Sequence, residues 1–199
     1  MLNKMLKKHK IILASGSPRR QQFFKDFDLK EHFDFEIRLK EIDEIYPDHL
    51  KAEEITNYLA ELKAQAFDGE LLENEILVTS DTLVWLNGKA LGKPKDYSDA
   101  VIILKSLSNA THEVITSVCF KTIAKTETIF EVTKVTFNSL SEGSIRYYLD
   151  NYKPFDKAGA YGIQDWIGLV GISKIEGSYT NVVGLPTEKV YNYLTRTFL

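Results

Sequence analysis

Three short stretches bring together side chains that can do chemistry. The first, residues 11–20, reads IILASGSPRR: an apolar run, a loop of small residues, a proline and two adjacent arginines. Ser15, Gly16 and Ser17 put several backbone N–H groups at the start of a helix, where the helix dipole favours an anion. Arg19 and Arg20 add forked donors that match phosphate oxygens. An N-capped helix with two solvated arginines is the plainer alternative for this stretch alone. The second stretch, residues 79–96, reads TSDTLVWLNGKALGKPKD. Asp81 follows an apolar strand, where α/β sheets present catalytic groups, and Thr82 offers a hydroxyl beside it. Lys93 sits between a glycine and a proline that restrict its backbone. A turn-capping aspartate and a solvated loop lysine are the alternatives here. The third stretch, residues 156–166, reads DKAGAYGIQDW. Its glycines and alanines let the backbone approach a neighbour closely, and the Gln164 amide can donate and accept at once, which suits the edge of a nucleobase.

Other groups are less specific. Glu41, Asp43 and Glu44 crowd three carboxylates into four residues; hard oxygen ligands suit Mg²⁺ or Mn²⁺, but a solvated charge run has the same composition. Lys63 lies on the margin of an apolar helical stripe, four residues after Leu59, so it either points toward the body of the protein or snorkels to water. His112 has no second histidine or cysteine at ligand spacing, which argues against zinc. Cys119 alternates into a β-branched strand and reads as core. There is no G-x-S-x-G elbow and no P-loop.

These groups need a scaffold, and the chain has one. At 199 residues with 44% hydrophobic content it can bury a core as one domain or two small lobes. A net charge of −3 gives no basic excess for extended nucleic-acid binding. A single cysteine excludes an internal disulfide and fits a reducing compartment. The start, MLNKMLKKHK, is basic but lacks a signal peptide's longer apolar core, and no stretch spans a bilayer, so a cytoplasmic protein is expected.

The patterns predict strands over 11–15 and 33–38, with a helix over 18–27 between them that has Ser17 as N-cap and Pro18 at its first position. A helix over 51–67 has Ile55, Leu59, Leu62 and Ala66 on one face. Residues 75–91 read as two strand segments and a return, with Asn87 and Gly88 forming a tight hairpin turn. A helix over 97–107, capped by Ser98, precedes pairing strands over 112–123 and 127–137. A helix over 141–152, a loop over 156–166, a strand over 167–177 and a final helix opened by Pro186 complete the chain. Strands and helices alternate unevenly, which predicts a mixed-sheet α/β fold.

Taken together, LASGSPRR, SDTLV with LGKPKD, THEVITSV, DKAGAYGIQ and GSYTNVVGLP, in that order over nearly the whole chain, resemble the Maf family of nucleoside triphosphate pyrophosphatases. The SPRR and AYGIQ forms look like the branch acting on dTTP and UTP rather than that acting on 7-methyl-GTP. The resemblance implies one domain over residues 1–199, with two lobes around a central cleft. It also implies an elongated α/β fold with a mixed sheet and flanking helices, similar to inosine triphosphate pyrophosphatases, and often a homodimer. It makes Ser15 to Arg20 the phosphate-binding element and Asp81 the proton acceptor. Arg19, Thr82 and Gln164 fall on specificity positions, and Glu44, Lys63 and Lys93 on other active-site positions. With a divalent cation, Mg²⁺ or Mn²⁺, held by Glu44 and Asp81, the expected products are a nucleoside monophosphate and pyrophosphate. Two departures stand out: Ser80 where alanine is usual, and Asp165 with Trp166 where glycine follows Gln164.

Two rival classes remain at this level. One is a nucleotide-binding regulator, for instance of cell division, that senses a triphosphate without turnover. The other is a nucleic-acid-binding module that uses SPRR as a backbone contact. A pure binder has no use for a base such as Asp81, and the net negative charge opposes the second.

Overall fold

The computed structural model describes residues 8–199, so most of the basic start read above lies outside the described residues. The strands are β1 (His9–Leu13), β2 (Phe33–Ile37), β3 (Glu75–Leu86), β4 (Lys89–Leu91), β5 (Thr111–Lys121), β6 (Thr126–Phe137) and β7 (Ile172–Glu176). The helices are α1 (Pro18–Asp26), α2 (Glu53–Gln65), α3 (Tyr97–Leu107), α4 (Glu142–Tyr152), α5 (Trp166–Gly171), α6 (Tyr179–Val183) and α7 (Thr187–Phe198), with a short 3-10 turn over Ala158–Ala160.

The seven strands form one mixed sheet in the order β2-β1-β3-β5-β6-β7, with β4 added to β3. β1 runs parallel to β2 and β3, and every other pair is antiparallel. β3, β5 and β6 are 12, 11 and 12 residues long, about 40 Å each at the rise of an extended chain. The fold is therefore the mixed-sheet α/β fold that the uneven alternation predicts, with the elongated sheet and flanking helices that the family resemblance implies. Among the described residues no helix is long and apolar enough to cross a membrane.

Side-chain alternation sorts the core onto the two faces of the sheet. Ile11, Leu13, Ile76 and Val78 pack with Phe24 of α1 and with Val190 and Leu194 of α7. Ile12, Leu77 and Cys119 face the opposite way, onto Ala60, Ala64 and Phe67. Farther along β3, Val84 joins Leu104, Leu107, Ile145 and Tyr148 of α3 and α4.

Some elements differ from the sequence reading. β3 is one continuous strand, although Asn87 and Gly88, with φ of 49° and 79°, do make the hairpin turn to β4. The buried face of α2 is Ile55, Thr56, Leu59, Ala60 and Ala64, with Leu62 and Ala66 only half-buried. Small residues win that face because the helix lies close on the sheet, where the Thr79 hydroxyl donates to the Ala60 carbonyl at 2.6 Å. The cap of α3 is Asp96, which accepts from the Asp99 N–H, and Ser98 lies within the first turn. The strand read over 167–177 begins only at Ile172, and α5 (Trp166–Gly171) precedes it, because a Cβ at Gly168 would collide with the Ile163 carbonyl, a contact only a tight turn makes. α6 was not anticipated at all.

Glu75, 2% exposed, anchors the start of β3. Arg38 grips it bidentately at 2.9 and 3.3 Å, and the Leu72 N–H donates to it at 3.2 Å. The Arg38 hydrogen bonds hold the Glu75 carboxyl below its ordinary pKa against the opposing effect of burial. A depressed carboxylate contributes stability that is complete above the unfolded pKa of about 4.3 and lost as pH falls through the folded value. Arg38→Ala should therefore cost about 2–3 kcal/mol at neutral pH, measured by denaturant titration, with the cost shrinking as pH drops below about 4. A penalty that is constant with pH would remove the ion pair as its cause.

Candidate active site

The site begins with a gap in the sheet. On one edge of β3, β1 pairs with residues 75–78 and β4 with residues 84–86. Among the described residues no strand pairs with residues 79–83 on that edge, while the other edge stays bonded to β5 throughout. Asp81 is thus in mid-strand, not at a strand end as read from the sequence, yet it sits just beyond the C-terminal end of β1, where a parallel pair opens a crevice. A cleft of about 630 Å³ fills this gap.

Nine residues that the family resemblance puts at the site, Ser15, Arg19, Arg20, Glu44, Lys63, Asp81, Thr82, Lys93 and Gln164, line the cleft. Glu41 and Asp43 do not, whereas Ile42, Glu44 and Tyr46 do. Residues 38–46 have no regular structure, but an extended chain turns alternate side chains to opposite sides, which selects one carboxylate of three.

Lys63 is the hub. Its ammonium, on α2, lies 2.7 Å from Asp81 Oδ1, 2.7 Å from Glu44 Oε1 and 3.5 Å from the Ser80 carbonyl. Lys93 Nζ is 4.0 Å from the second Glu44 oxygen. Burial pushes the Glu44 carboxyl up, but the Lys63 hydrogen bond and the charges of Lys63, Lys93 and Arg20 outweigh it, leaving a net shift below the ordinary range. Both carboxylates of the pair are therefore set to share a cation. Among the described residues no group of three or more His, Cys, Asp or Glu could hold a metal by itself.

The two arginines have different surroundings. Arg20 donates from Nε to the Gly184 carbonyl at 2.8 Å, from Nη1 to the Ser80 carbonyl at 3.0 Å and from Nη2 to Thr82 Oγ1 at 2.8 Å. It fills the gap in the β3 edge and ties it to the end of α6. Burial lowers its pKa, and the Asp81 carboxylate opposes that shift. Arg19 touches the Val183 carbonyl at 3.3 Å and Asp156 at 3.6 Å, and its side chain is 30% exposed. Ser17 takes the N-cap position of α1, but its hydroxyl makes no capping bond, which leaves the first-turn N–H groups available to an anion.

The hydroxyl roles follow from a chain of bonds. Thr116 Oγ1 donates to the Asn181 carbonyl at 3.0 Å and lies 2.9 Å from Thr82 Oγ1. A carbonyl only accepts, so the Thr116 proton is committed and the Thr82 proton goes to Thr116. Thr82 accepts from Arg20 and has a lone pair left, so toward a ligand it is an acceptor only. The amide of Gln164 has no hydrogen-bond partner among the described residues, and its side chain is exposed to the cleft. The Ser80 hydroxyl is buried without a partner.

Sequence reasoning missed the wall supplied by α6 and the residue after it, where the Val183 and Gly184 carbonyls receive Arg19 and Arg20; only the GSYTNVVGLP string hinted at it. Ser178 caps that helix by accepting from the Asn181 N–H at 3.3 Å, and buried Asn181 donates to Val114 O and Thr133 Oγ1 at 3.0 and 2.9 Å. His112 and Cys119 are outside the cleft: His112 Nε2 is 2.7 Å from the Tyr161 hydroxyl, with burial lowering its pKa to about 4, and Cys119 is core, its thiol pKa raised by burial.

Arg19, Arg20, Lys40, Lys63, Lys93 and Lys157 face Glu44, Asp81 and Asp156 across the cleft, six cations to three carboxylates. In a chain of net charge −3, that local excess marks a site for an anion. The family model described as Maf-like protein matches residues 10–197. The chain belongs to the Maf family. It is 71% identical over 194 residues to a dTTP/UTP pyrophosphatase of Flavobacterium psychrophilum, covering 98% of this chain and 97% of that protein. It is 69% identical over 195 residues to one of Flavobacterium johnsoniae, covering 98% of each. Among solved structures, a HAM1 protein from Coxiella burnetii superposes with a TM-score of 0.52 at 15% identity, covering 95% of this chain and 100% of that one. This last likeness concerns the fold alone, and it agrees with the inosine triphosphate pyrophosphatase-like architecture expected of a Maf chain.

The two arginines should separate on mutation. Arg20→Ala removes three bonds that join β3, α1 and α6, so its melting temperature should fall by several degrees, as about 2–3 kcal/mol implies for a domain of this size. Arg19→Ala and Lys93→Ala should melt near wild type. Differential scanning calorimetry of all three variants checks this, and an unchanged Arg20→Ala midpoint would deny that residue its bracing role.

Proposed function

We propose that this Maf chain hydrolyses dTTP and UTP to the nucleoside monophosphate and pyrophosphate. The observation that carries the reading is the cationic cleft built around Asp81, Glu44 and Lys63, in a chain 71% identical to a dTTP/UTP pyrophosphatase. The working unit is one domain, residues 1–199, with two lobes flanking the cleft; it acts in the cytoplasm and assembles as a homodimer.

The geometry supports a division of roles. Ser15 and the N–H groups at the start of α1 hold phosphate oxygens, with Arg19, Lys63 and Lys93 neutralising the charge that collects on the leaving pyrophosphate. Arg20 acts on the phosphates mainly through its field, since three of its donors are committed to protein. Asp81, 8% exposed, accepts the proton of the attacking water. The Glu44–Asp81 pair suits a hard divalent cation, Mg²⁺ or Mn²⁺. Two carboxylates already share one ammonium, and such ions take one or two protein carboxylates, with phosphate oxygens and waters completing the shell. When bound, that cation supplies Lewis-acid stabilisation of the phosphate charge.

Base choice has a physical support as well. The edge of uracil or thymine presents an N–H between two carbonyl oxygens. Thr82, which can only accept, suits the N–H, and the Gln164 amide can meet an oxygen while accepting through its own.

The expected first products are the monophosphate and pyrophosphate, formed only with a divalent cation; a nucleoside diphosphate would reject the cleavage position, and full turnover in excess chelator would reject the metal. Asp81→Asn keeps the shape while removing the base, and hydrolysis should drop at least 100-fold, as loss of a general base typically costs. Triphosphate binding, measured by calorimetry with and without Mg²⁺, should largely survive. Near wild-type turnover of Asp81→Asn would move the base elsewhere, and turnover absent from the wild-type protein as well would favour a triphosphate sensor.

A further inference from the structure

Gln164 reaches the cleft from a four-residue turn whose geometry is held from outside the site. The Asp165 N–H donates to the Gly162 carbonyl at 3.0 Å, closing a turn with Ile163 and Gln164 at its two corners. Ile163 is buried and Gln164 is exposed, so one corner anchors the turn and the other presents a side chain. Both ends of the turn meet one hydroxyl. Tyr148, from the middle of α4, accepts from the Gly162 N–H at 3.0 Å and donates to Asp165 Oδ2 at 2.6 Å. The direction is forced: a backbone N–H only donates, so the phenol proton must go to the carboxylate.

The turn needs such a hold. One residue ahead of it, Gly159 and Ala160 both have positive φ, 70° and 57°. For alanine that conformation is strained and persists only where the surroundings over-determine it. Space around the turn is used up: a Cβ at Gly162 would come within 2.6 Å of Asp165 Oδ2 and 2.8 Å of Gln164 Nε2. Tyr148 is fully buried, stacks on Tyr152 and does not line the cleft. Burial and the adjoining Asp165 carboxylate raise its pKa, so it stays a phenol that can donate.

We infer that Tyr148 and Asp165 are positioning residues for base selection: through one hydroxyl they lock both ends of the 162–165 turn and so set where the Gln164 amide meets the base. This rests on the reading that Gln164 contacts the base. It gives a role to Asp165, which stands where the family resemblance leads one to expect glycine, a residue with no side chain to receive the phenol. The selectivity device of this chain therefore reaches beyond the cleft wall into α4.

The test compares kcat/KM for UTP and GTP in wild type, Gln164→Ala, Tyr148→Phe, Asp165→Ala and Asp165→Asn. Tyr148→Phe keeps the ring and loses both bonds, so the UTP value should fall about tenfold while the GTP value changes less than about twofold. Asp165→Ala should act alike, and Asp165→Asn, which retains an acceptor for the phenol, should recover most of the UTP/GTP ratio. Amide exchange at Gly162 should accelerate in Tyr148→Phe. If Gln164→Ala narrows the ratio but Tyr148→Phe and Asp165→Ala leave it unchanged, or lower both substrates equally, the positioning role is wrong and the Gln164 reading stands. If Gln164→Ala itself leaves the ratio unchanged, the Gln164 reading fails and the inference goes with it. Asp165→Ala removes a half-exposed side chain, so it keeps the test decisive should Tyr148→Phe fold poorly.

Discussion

A strand that loses its partner on one edge must satisfy its backbone some other way, and in this protein that requirement shapes the active site. Residues 79–83 of β3 have β5 on one side and, among the described residues, no strand on the other. An open edge invites either water or a foreign strand. Arg20 answers part of the need by donating to the Ser80 carbonyl, and the same guanidinium holds Thr82 and the Gly184 carbonyl. One planar fork thus joins the sheet, the helix that follows the SGSP loop and the segment after α6. The gap puts Asp81 into a cleft without breaking the strand that holds it, and a strand bonded along its other edge is a stiffer support for a reacting group than a loop.

The electrostatics follow from this placement. Asp81 and Glu44 approach one another from a rigid strand and from an irregular segment, and they would repel without a cation. Lys63 sits 2.7 Å from an oxygen of each, so the ammonium organises the irregular segment as well as the charge. Lys63 is itself 15% exposed and Glu44 44%, so solvent screens the Glu44 contact more than the Asp81 contact. The arrangement is therefore asymmetric: Asp81 is fixed by its fold, Glu44 by its charge. The cationic excess of the remaining lining leaves room for a polyanion that the protein alone does not neutralise.

Much of this was legible from residue types and order. The strand–SGSP–helix entry, the Asn87 and Gly88 turn and the paired β5 and β6 follow from local patterns that tertiary structure did not override, whereas Glu44 and Lys63 among the cleft residues rest on the family resemblance. What escaped did so for identifiable reasons. Two adjacent arginines look equivalent in a sequence, yet successive residues of a helix point about 100° apart, which sends Arg20 into the sheet gap and leaves Arg19 at the cleft. Asp96 and Ser98 are both good caps, and the extended backbone at residue 96 decides between them. IGLVG has the apolar content of a strand, but Gly168 on the Ile163 carbonyl and Gly171 on Phe137 and Leu140 require close approaches that composition does not reveal. Glu41, Asp43 and Glu44 are alike in type, and only the alternation of an extended chain singles out the last.

The proposed chemistry and the proposed base recognition rest on supports of different kinds. Asp81 and Thr82 belong to β3, where a change of register would turn every neighbouring side chain to the wrong face. Gln164 belongs to a four-residue turn whose fixed points are buried Ile163, close-packed Gly162, the approach of Gly168 to the Ile163 carbonyl and a tyrosine hydroxyl. A substitution at Gln164 breaks no ladder bond of β3 or β5, because none passes through the turn. Thr82 still links the two parts, since its free lone pair and the Gln164 amide open onto the same cleft. In the proposed reading, base preference can therefore be altered at the turn and its α4 support without changing Asp81, the proposed proton acceptor, whereas a change at Arg20 disturbs both parts, because that side chain holds the strand and Thr82 together.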